Sequence, residues 1–312
     1  MSRMLVTGGA GFIGSNLSRL LLDRGHAVTI LDDLSSGYAS NLEAVPEATL
    51  VEGDVRDPGA VDRAIEGCEV VFHLAASVGN TRSIQHPRLD AEINVLGTLT
   101  VLEAARHHGL RKLVFSSSAG IFGELKTVPI TEDHPVEPDS PYGASKLGAE
   151  KLCLSYAKLY PLECVCLRYF NVYGPRQDPT AEYAAAVPGF IVKALAEQPL
   201  TIYGDGRQTR DFIFVEDVAR ANLAAFESNV NNAEALNIGS GKSVTILDLA
   251  RRVVRLTGAK SKILYDEPRL GEVRYSSCEV EAARAKIRFR PKVALNEGLR
   301  RTIEYWRTEA PH

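Results

Sequence analysis

Through the first half of the chain, short apolar runs rich in β-branched residues alternate with longer stretches of helical periodicity. Met4-Leu5-Val6 reads as a strand, Phe12 to Arg24 as a helix, and Ala27-Val28-Thr29-Ile30-Leu31 as the next strand. Thr49-Leu50-Val51-Glu52, Val70-Val71-Phe72-His73-Leu74 and Lys112-Leu113-Val114-Phe115 continue the series. A single long helix, from about Asp90 to His108 and closed by Gly109, is predicted between the last two. A further strand, Cys164-Val165-Cys166-Leu167-Arg168, follows a helix that starts near Tyr142. Strands without in–out alternation are buried on both faces. The pattern therefore predicts an α/β fold, a Rossmann doubly wound parallel sheet covered by helices. Past Asn171 the rhythm changes, with Gly174-Pro175, Gln198-Pro199 and Gly204-Asp205-Gly206 interrupting shorter elements. The expected division is residues 1–170, with a return of about 211–235, followed by a smaller α/β C-terminal domain over 171–312.

The first strand and first helix are joined by Thr7-Gly8-Gly9-Ala10-Gly11-Phe12-Ile13-Gly14. Bare backbone there lets a pyrophosphate approach closely, and the helix N-terminus offers N–H donors and a positive dipole. A glycine-rich surface turn is the plain alternative, but the strand before, the helix after and the acid ending the second strand favour a dinucleotide. That acid, Asp32, suits the two hydroxyls of an adenosine ribose. The following Asp33-Leu34-Ser35 holds no arginine for a 2′-phosphate, so NAD is expected rather than NADP. Asp54-Val55 stands where an adenine could be held, although an aspartate that caps its own turn would look the same.

Ser140-Pro141-Tyr142-Gly143-Ala144-Ser145-Lys146 is the second strong signal. Ser140 suits an N-cap and Pro141 the first helical position, which sets Tyr142 and Lys146 at i and i+4 on one helix face. An ammonium beside a phenol is expected to lower its pKa, with a bound positive nicotinamide helping, so that it can serve as a base. A surface aromatic–cation pair is the bland reading. Phe115-Ser116-Ser117-Ser118 ends the preceding strand at the carboxyl edge, where open α/β sheets bind ligands, and a serine there could bridge a substrate hydroxyl to Tyr142.

Composition narrows the partners. A net charge of −3 gives no electrostatic reason to expect nucleic acid or a membrane surface. No apolar run approaches the length of a membrane span, and no signal peptide is expected, since Thr7-Gly8-Gly9 breaks the first apolar stretch. Five cysteines without a C-x-x-C pair or zinc spacing read as reduced, which points to the cytoplasm and to no metal site.

Together, in this order, these pieces resemble the extended short-chain dehydrogenase/reductase family, and within it the nucleotide-sugar 4-epimerases of the UDP-galactose 4-epimerase type. The resemblance runs from Met4 to about Trp306. His73-Leu74-Ala75-Ala76, Asn94-Val95-Leu96-Gly97-Thr98 and Arg168-Tyr169-Phe170-Asn171-Val172-Tyr173-Gly174-Pro175-Arg176 are similar to further family motifs. The resemblance implies a tightly bound NAD, a UDP-sugar substrate and a homodimer built from the helices near Asp90–His108 and Gly143–Tyr160. It implies Ser118, Tyr142 and Lys146 as catalytic residues. It places NAD against Gly8, Gly11, Phe12, Ile13, Gly14, Asp32, Asp33, Ser36, Gly37, Asp54, Val55, Leu74, Ala75, Ala76, Asn94, Ser116, Tyr142, Lys146 and Phe170. The UDP-sugar would meet Ser118, Tyr142, Asn171, Val187, Thr201, Tyr203, Arg210, Arg269, Glu272 and Ser276, with Arg210 and Arg269 on the diphosphate.

Departures from neighbouring patterns choose among reactions. Sugar 4,6-dehydratases carry an Asp-Glu pair where this chain has Ala119-Gly120; UDP-glucuronate decarboxylases carry Glu, and 3,5-epimerising relatives Cys, at Gly120. The usual Val-Tyr-Gly is Ile121-Phe122-Gly123, which loses one hydroxyl. What remains is oxidation and re-reduction at C4 of a UDP-hexose. Ser276, where some relatives place Tyr, leaves room for an N-acetyl group, and Gln177-Asp178-Pro179 and Tyr183-Ala184-Ala185 look similar to epimerases that accept UDP-N-acetylglucosamine. UDP-glucuronate 4-epimerisation, with Arg176 or Lys193 meeting a carboxylate, or another NAD-dependent nucleotide-sugar oxidation or dehydration, stays open at this point.

Overall fold

The computed structural model describes residues 1–179, 186–230, 233–268 and 274–308. Seven strands make one sheet: β1 (Arg3–Thr7), β2 (Ala27–Asp32), β3 (Thr49–Glu52), β4 (Val70–His73), β5 (Lys112–Ser118), β6 (Glu163–Tyr169) and β7 (Glu234–Ile238). Their order is β7-β6-β5-β4-β1-β2-β3, and every pairing is parallel. The central strands send alternate side chains into two separate cores, which is why their sequences do not alternate, whereas the edge strand β3 is mostly exposed. Met4, Val6, Ile30, Phe72, Val114 and Val165 fill one face with the helices Phe12–Asp23 and Val215–Glu227. Leu5, Leu31, Val71, Leu113, Phe115 and Cys164 fill the other with Pro58–Ile65, Thr98–His107 and Pro141–Leu159. The chain order reverses between β1 and β4, and the carboxyl ends of those two strands flank the crevice where such sheets bind ligands.

A second lobe has its own core of Val187, Phe190, Ile191, Ile202, Leu249, Val253 and Ile303. Its helices Ala186–Leu195, Ile246–Thr257 and Leu295–Thr308 pack beside short strand pairs: Leu200–Tyr203 with Ile263–Asp266, and Thr209–Asp211 with Ser243–Thr245. Between these parts the chain returns to the sheet through the helix Val215–Glu227 and β7.

The long helix expected from Asp90 to His108 is not one regular helix. It runs as Pro87–Ala91, a π-helical stretch Glu92–Gly97, and Thr98–His107. The Thr98 hydroxyl donates to the Asn94 carbonyl at 2.6 Å. Gly97 presses on Val55, where a Cβ would come within 2.8 Å of Cγ2. A hydroxyl bound into the ladder and a tight contact at a glycine are both causes of local widening, and such stretches gather at functional sites. Among the described residues no helix is long and apolar enough to cross a membrane.

Candidate active site

The glycine turn is built for close approach. Gly8 has φ +70°, and a Cβ there would stand 2.7 Å from the Ala75 nitrogen. At Gly14 a Cβ would meet the Gly8 carbonyl at 2.1 Å. Gly11 is the N-cap of the helix Phe12–Asp23 and supplies no side-chain cap, so the N–H groups of the first turn, around Phe12 and Ile13, face the crevice uncapped. Leu74, Ala75 and Ala76 leave β4 directly opposite this turn. Asp32 ends β2, is buried, and accepts from the Ala10 and Leu34 backbone N–H groups at 2.9 Å each. Burial raises its pKa against the pull of those donors. Gly37 packs against Ala10 and Asp32. Asp33 is exposed and accepts from the N–H and hydroxyl of Ser35, and Ser36 is exposed beside it. Asp54 does cap its own turn, accepting from the Arg56 N–H at 2.8 Å, and its carboxylate is also gripped by the Arg56 guanidinium. Val55 is buried against Gly97. A bare turn, an uncapped helix start and a buried acid beside it fit a dinucleotide's pyrophosphate and ribose.

The catalytic candidates meet at the carboxyl edge of β5. Ser140 caps the helix Pro141–Leu159 by accepting from the Gly143 N–H at 3.1 Å, and this sets Tyr142 in the first turn. The three serines of β5 separate by their neighbours. Ser117 donates to Glu150 at 2.6 Å, Ser116 lies beside the Tyr169 hydroxyl, and Ser118 lies beside the Tyr142 hydroxyl. A Cβ on Gly120 would stand 3.3 Å from Ser118 Oγ and 3.6 Å from the Tyr142 ring. Any side chain at 120 would therefore touch both Ser118 and Tyr142. Lys146 is buried one turn along the helix, with Nζ 4.5 Å from the centre of the Phe115 ring.

The electrostatics correct one expectation. In the protein alone the Tyr142 pKa is raised, because desolvation outweighs the pull of the Ser118 hydroxyl, with the Asp90 carboxylate pushing the same way. Lys146 is itself weakened to about 8 by burial, resisted by Cys153, Asp90, Cys166 and Glu150. The phenol is thus not pre-ionised by its lysine. The positive charge of a bound nicotinamide is the remaining expected contribution.

A buried network, of which the resemblance had named Asn94, supports this pair. Asn94 brackets Ser77, accepting from its N–H at 2.8 Å and donating to its carbonyl at 3.1 Å, and also donates to the Ser145 hydroxyl at 2.9 Å. Ser145 donates in turn to buried Asp90. Glu150 and Arg168 form a buried ion pair at 2.8 Å, and Arg168 also donates to the Glu132 carbonyl. Glu150 lies four residues past Lys146, a stripe visible in the sequence, but its partner Arg168 comes from another strand and has no local signature. Phe122, which lacks the family's hydroxyl, is fully buried against His134 and Phe170 with the Arg168 guanidinium over its ring. Phe170 is likewise core. His73 is locked neutral. Thr98 spends its proton on Asn94, so the imidazole Nε2–H donates to Thr98 while Nδ1 accepts from Thr7, and burial lowers its pKa to about 3.

The second lobe gathers a further set. Asn171 donates to the Asp211 carbonyl at 2.9 Å, next to Arg210, and the Ser276 N–H donates to the Thr209 carbonyl at 3.2 Å on Arg210's other side. Ser276 is buried. Thr201 and Tyr203 lie half-buried on one strand, paired with Leu264 and Asp266. Val187 is buried in the lobe's core, which leaves only its backbone for a ligand. Arg269, Glu272 and the Tyr183-Ala184-Ala185 segment lie outside the described residues.

The sequence matches the NAD dependent epimerase/dehydratase family over residues 4–239. It is 41% identical over 313 residues to UDP-glucose 4-epimerase of Mycolicibacterium smegmatis, covering 99% of each chain. The crystal structure of UDP-glucose 4-epimerase with UDP-glucose from Thermotoga maritima superposes with a TM-score of 0.93 at 40% identity, covering 98% of each chain. UDP-N-acetylglucosamine 4-epimerase from Methanobrevibacter ruminantium, in complex with UDP-N-acetylmuramic acid, superposes with a TM-score of 0.95 at 35% identity, covering 99% of each chain. A parallel sheet with a bare glycine turn, and a Ser–Tyr–Lys set at its carboxyl edge, agree with this likeness along the whole chain: the protein belongs to the NAD dependent epimerase/dehydratase family.

Proposed function

We propose that the chain is a UDP-hexose 4-epimerase that keeps NAD bound through turnover, acting on UDP-glucose and UDP-galactose and on their 2-N-acetyl counterparts. The observation that carries this is Gly120. It stands against both Ser118 and Tyr142, where an acid or thiol would be needed to eliminate, decarboxylate or epimerise elsewhere on the ring. With no titratable group at that point, the site is left with alcohol oxidation and its reversal.

Residues 1–170, with the return through 211–235, hold NAD at the glycine turn, Asp32 and Lys146, and NAD there supplies reversible hydride uptake at a carbinol carbon. Tyr142 takes the O4 proton, directly or through Ser118, and returns it after the 4-keto sugar has presented its other face. Lys146 stabilises the phenolate. Residues 171–312 hold the UDP moiety. Asn171 and Arg210 bind the diphosphate by charge-assisted bonds, so the hexose turns about an anchored linkage. Small, buried Ser276 borders the sugar and leaves space for an N-acetyl group.

We infer a cytoplasmic enzyme, a reading supported by five buried free cysteines. It acts as a homodimer through the helices near Asp90–His108 and Gly143–Tyr160. Leu102 is buried within the chain, whereas Leu96 is 54% exposed on that face. Sedimentation showing a dimer that Leu96→Asp converts to monomer supports this, and a wild-type monomer rejects it. The epimerase reading itself is tested by incubation with a panel of UDP-sugars, products read by proton NMR. Interconversion of UDP-glucose with UDP-galactose is expected. Loss of water or carbon dioxide from any sugar, or no C4 product at all, would reject it.

A further inference from the structure

We propose that the segment Gly174–Asp178 is a cofactor-retaining clasp, anchored on both flanks of the glycine turn, that slows release of NAD. On one flank Arg176 Nη2 donates to Asn16 Oδ1 at 2.8 Å, and Asn16 Nδ2 donates to the Pro175 carbonyl at 3.2 Å. Asn16 lies one turn into the helix whose uncapped start faces the crevice, and its Nδ2 also holds the Phe12 carbonyl at 2.8 Å. On the other flank the Tyr38 hydroxyl donates to Asp178 Oδ2 at 2.6 Å. Tyr38 stands on the turn itself. Its N–H donates to the Ala10 carbonyl at 3.1 Å, and a Cβ on the preceding Gly37 would come within 2.8 Å of Ala10 and 3.0 Å of the Asp32 carboxylate. The segment thus joins the second lobe to the phosphate side and to the ribose side of one turn.

Its backbone is held in a form that needs holding. Arg176 has φ +69°, a left-handed conformation unfavourable for a residue with a Cβ. Gly174 has φ +152°, with no room beside Val215 for a side chain. Gln177 stiffens the middle by donating to the Val172 carbonyl at 3.1 Å. Strain of this kind persists where surrounding contacts over-determine it, and the contacts that do so here reach across to the dinucleotide turn. The inference rests on the reading that NAD occupies that turn. It gives the turn a property an epimerase needs: hydride must come back from the same cofactor molecule that took it, so release has to be slower than turnover.

The test uses the holoenzyme with Tyr38→Phe, Asp178→Ala and the double variant. Released NAD is trapped by excess alcohol dehydrogenase and ethanol, and its rate of appearance is read as NADH absorbance. Each single variant is expected to release NAD on the order of tenfold faster than wild type, the loss of one charge-assisted hydrogen bond. The double variant is expected to fall short of the product of the two single effects, because the Tyr38–Asp178 bond is already lost in each. The melting temperature of the cofactor-stripped protein should fall less than that of the holoenzyme, since Tyr38 is 48% exposed and Asp178 is not buried. Release at the wild-type rate in both singles overturns the clasp while leaving the epimerase reading intact. Faster release accompanied by an equal fall in the stripped protein's stability also overturns it, because the contact would then serve the lobes and not the cofactor. A wild-type protein that binds no NAD overturns the parent reading, and the clasp with it.

Discussion

Tyr142 is a protonated phenol at neutral pH by nature, and burial disfavours its phenolate further, by more than the Ser118 hydroxyl recovers. Its value to the reaction lies in position: one hydroxyl from Ser118, on the rim of the sheet, with a buried ammonium one turn away. Tyr142→Phe keeps the ring and removes the proton carrier. Turnover is expected to fall by roughly 10²–10⁴ with NAD still bound, measured by NMR rates and by cofactor content; an undiminished rate would remove Tyr142 from the chemistry. His73 gives a prediction about stability. Its folded pKa, about 3, lies below its ordinary 6.5, so the unfolded chain takes the proton first as pH falls. Stability present above pH 6.5 is therefore lost between 6.5 and 3, at about 1.4 kcal/mol per pH unit. Urea unfolding at pH 7 and pH 5 should differ by about 2 kcal/mol from this residue, a difference that His73→Asn should remove. At this scale the sequence showed which residue types were present, through Tyr142, Lys146 and the serine run. Ser118 was set apart from Ser116 and Ser117 only by the resemblance, because the physical difference among the three lies in their neighbours across the sheet. Nor did the i, i+4 spacing reveal that burial would override the lysine.

The glycine turn, β1 and the helix after it were legible as elements because backbone freedom and helix starts leave local signatures: Gly8 and Gly14 stand where a Cβ has no room. The π stretch Glu92–Gly97 was not legible, since it depends on Thr98 reaching the Asn94 carbonyl and on Val55 meeting Gly97 from another part of the chain. The same limit applies to the bond between the Tyr–Lys helix and the sheet. Glu150, fully buried, accepts from Ser117 of β5 and from Arg168 of β6. It thereby fixes the rotation of the helix that carries Tyr142 and Lys146. Glu150→Gln keeps the shape but leaves the Arg168 charge without a counter-ion in the core. A loss of about 3–5 kcal/mol of stability is expected, seen as a lower urea midpoint, whereas an unchanged midpoint would show that water already screens the pair.

Over the whole molecule, the sheet presents Ser118, Tyr142 and the glycine turn along its carboxyl edge, and the second lobe brings Arg210, Asn171 and Ser276 together as a separate cluster. The doubly wound sheet was readable from unalternating strands. The second lobe was readable only as a change of rhythm past Asn171, because its short strand pairs join segments distant in sequence. This separation of tasks predicts that Arg210→Ala raises the KM for a UDP-sugar by roughly tenfold or more while NAD content stays at the wild-type level; parallel loss of both would indicate a damaged fold. The central claim is that the C4 hydrogen leaves as hydride and returns to the same carbon, while only the O4 proton passes through Tyr142. The direct test is incubation of UDP-galactose with the NAD-loaded enzyme in deuterium oxide, with the product examined by proton NMR. The account predicts UDP-glucose that keeps a full proton signal at C4. Deuterium at C4, or no inversion there, would contradict it.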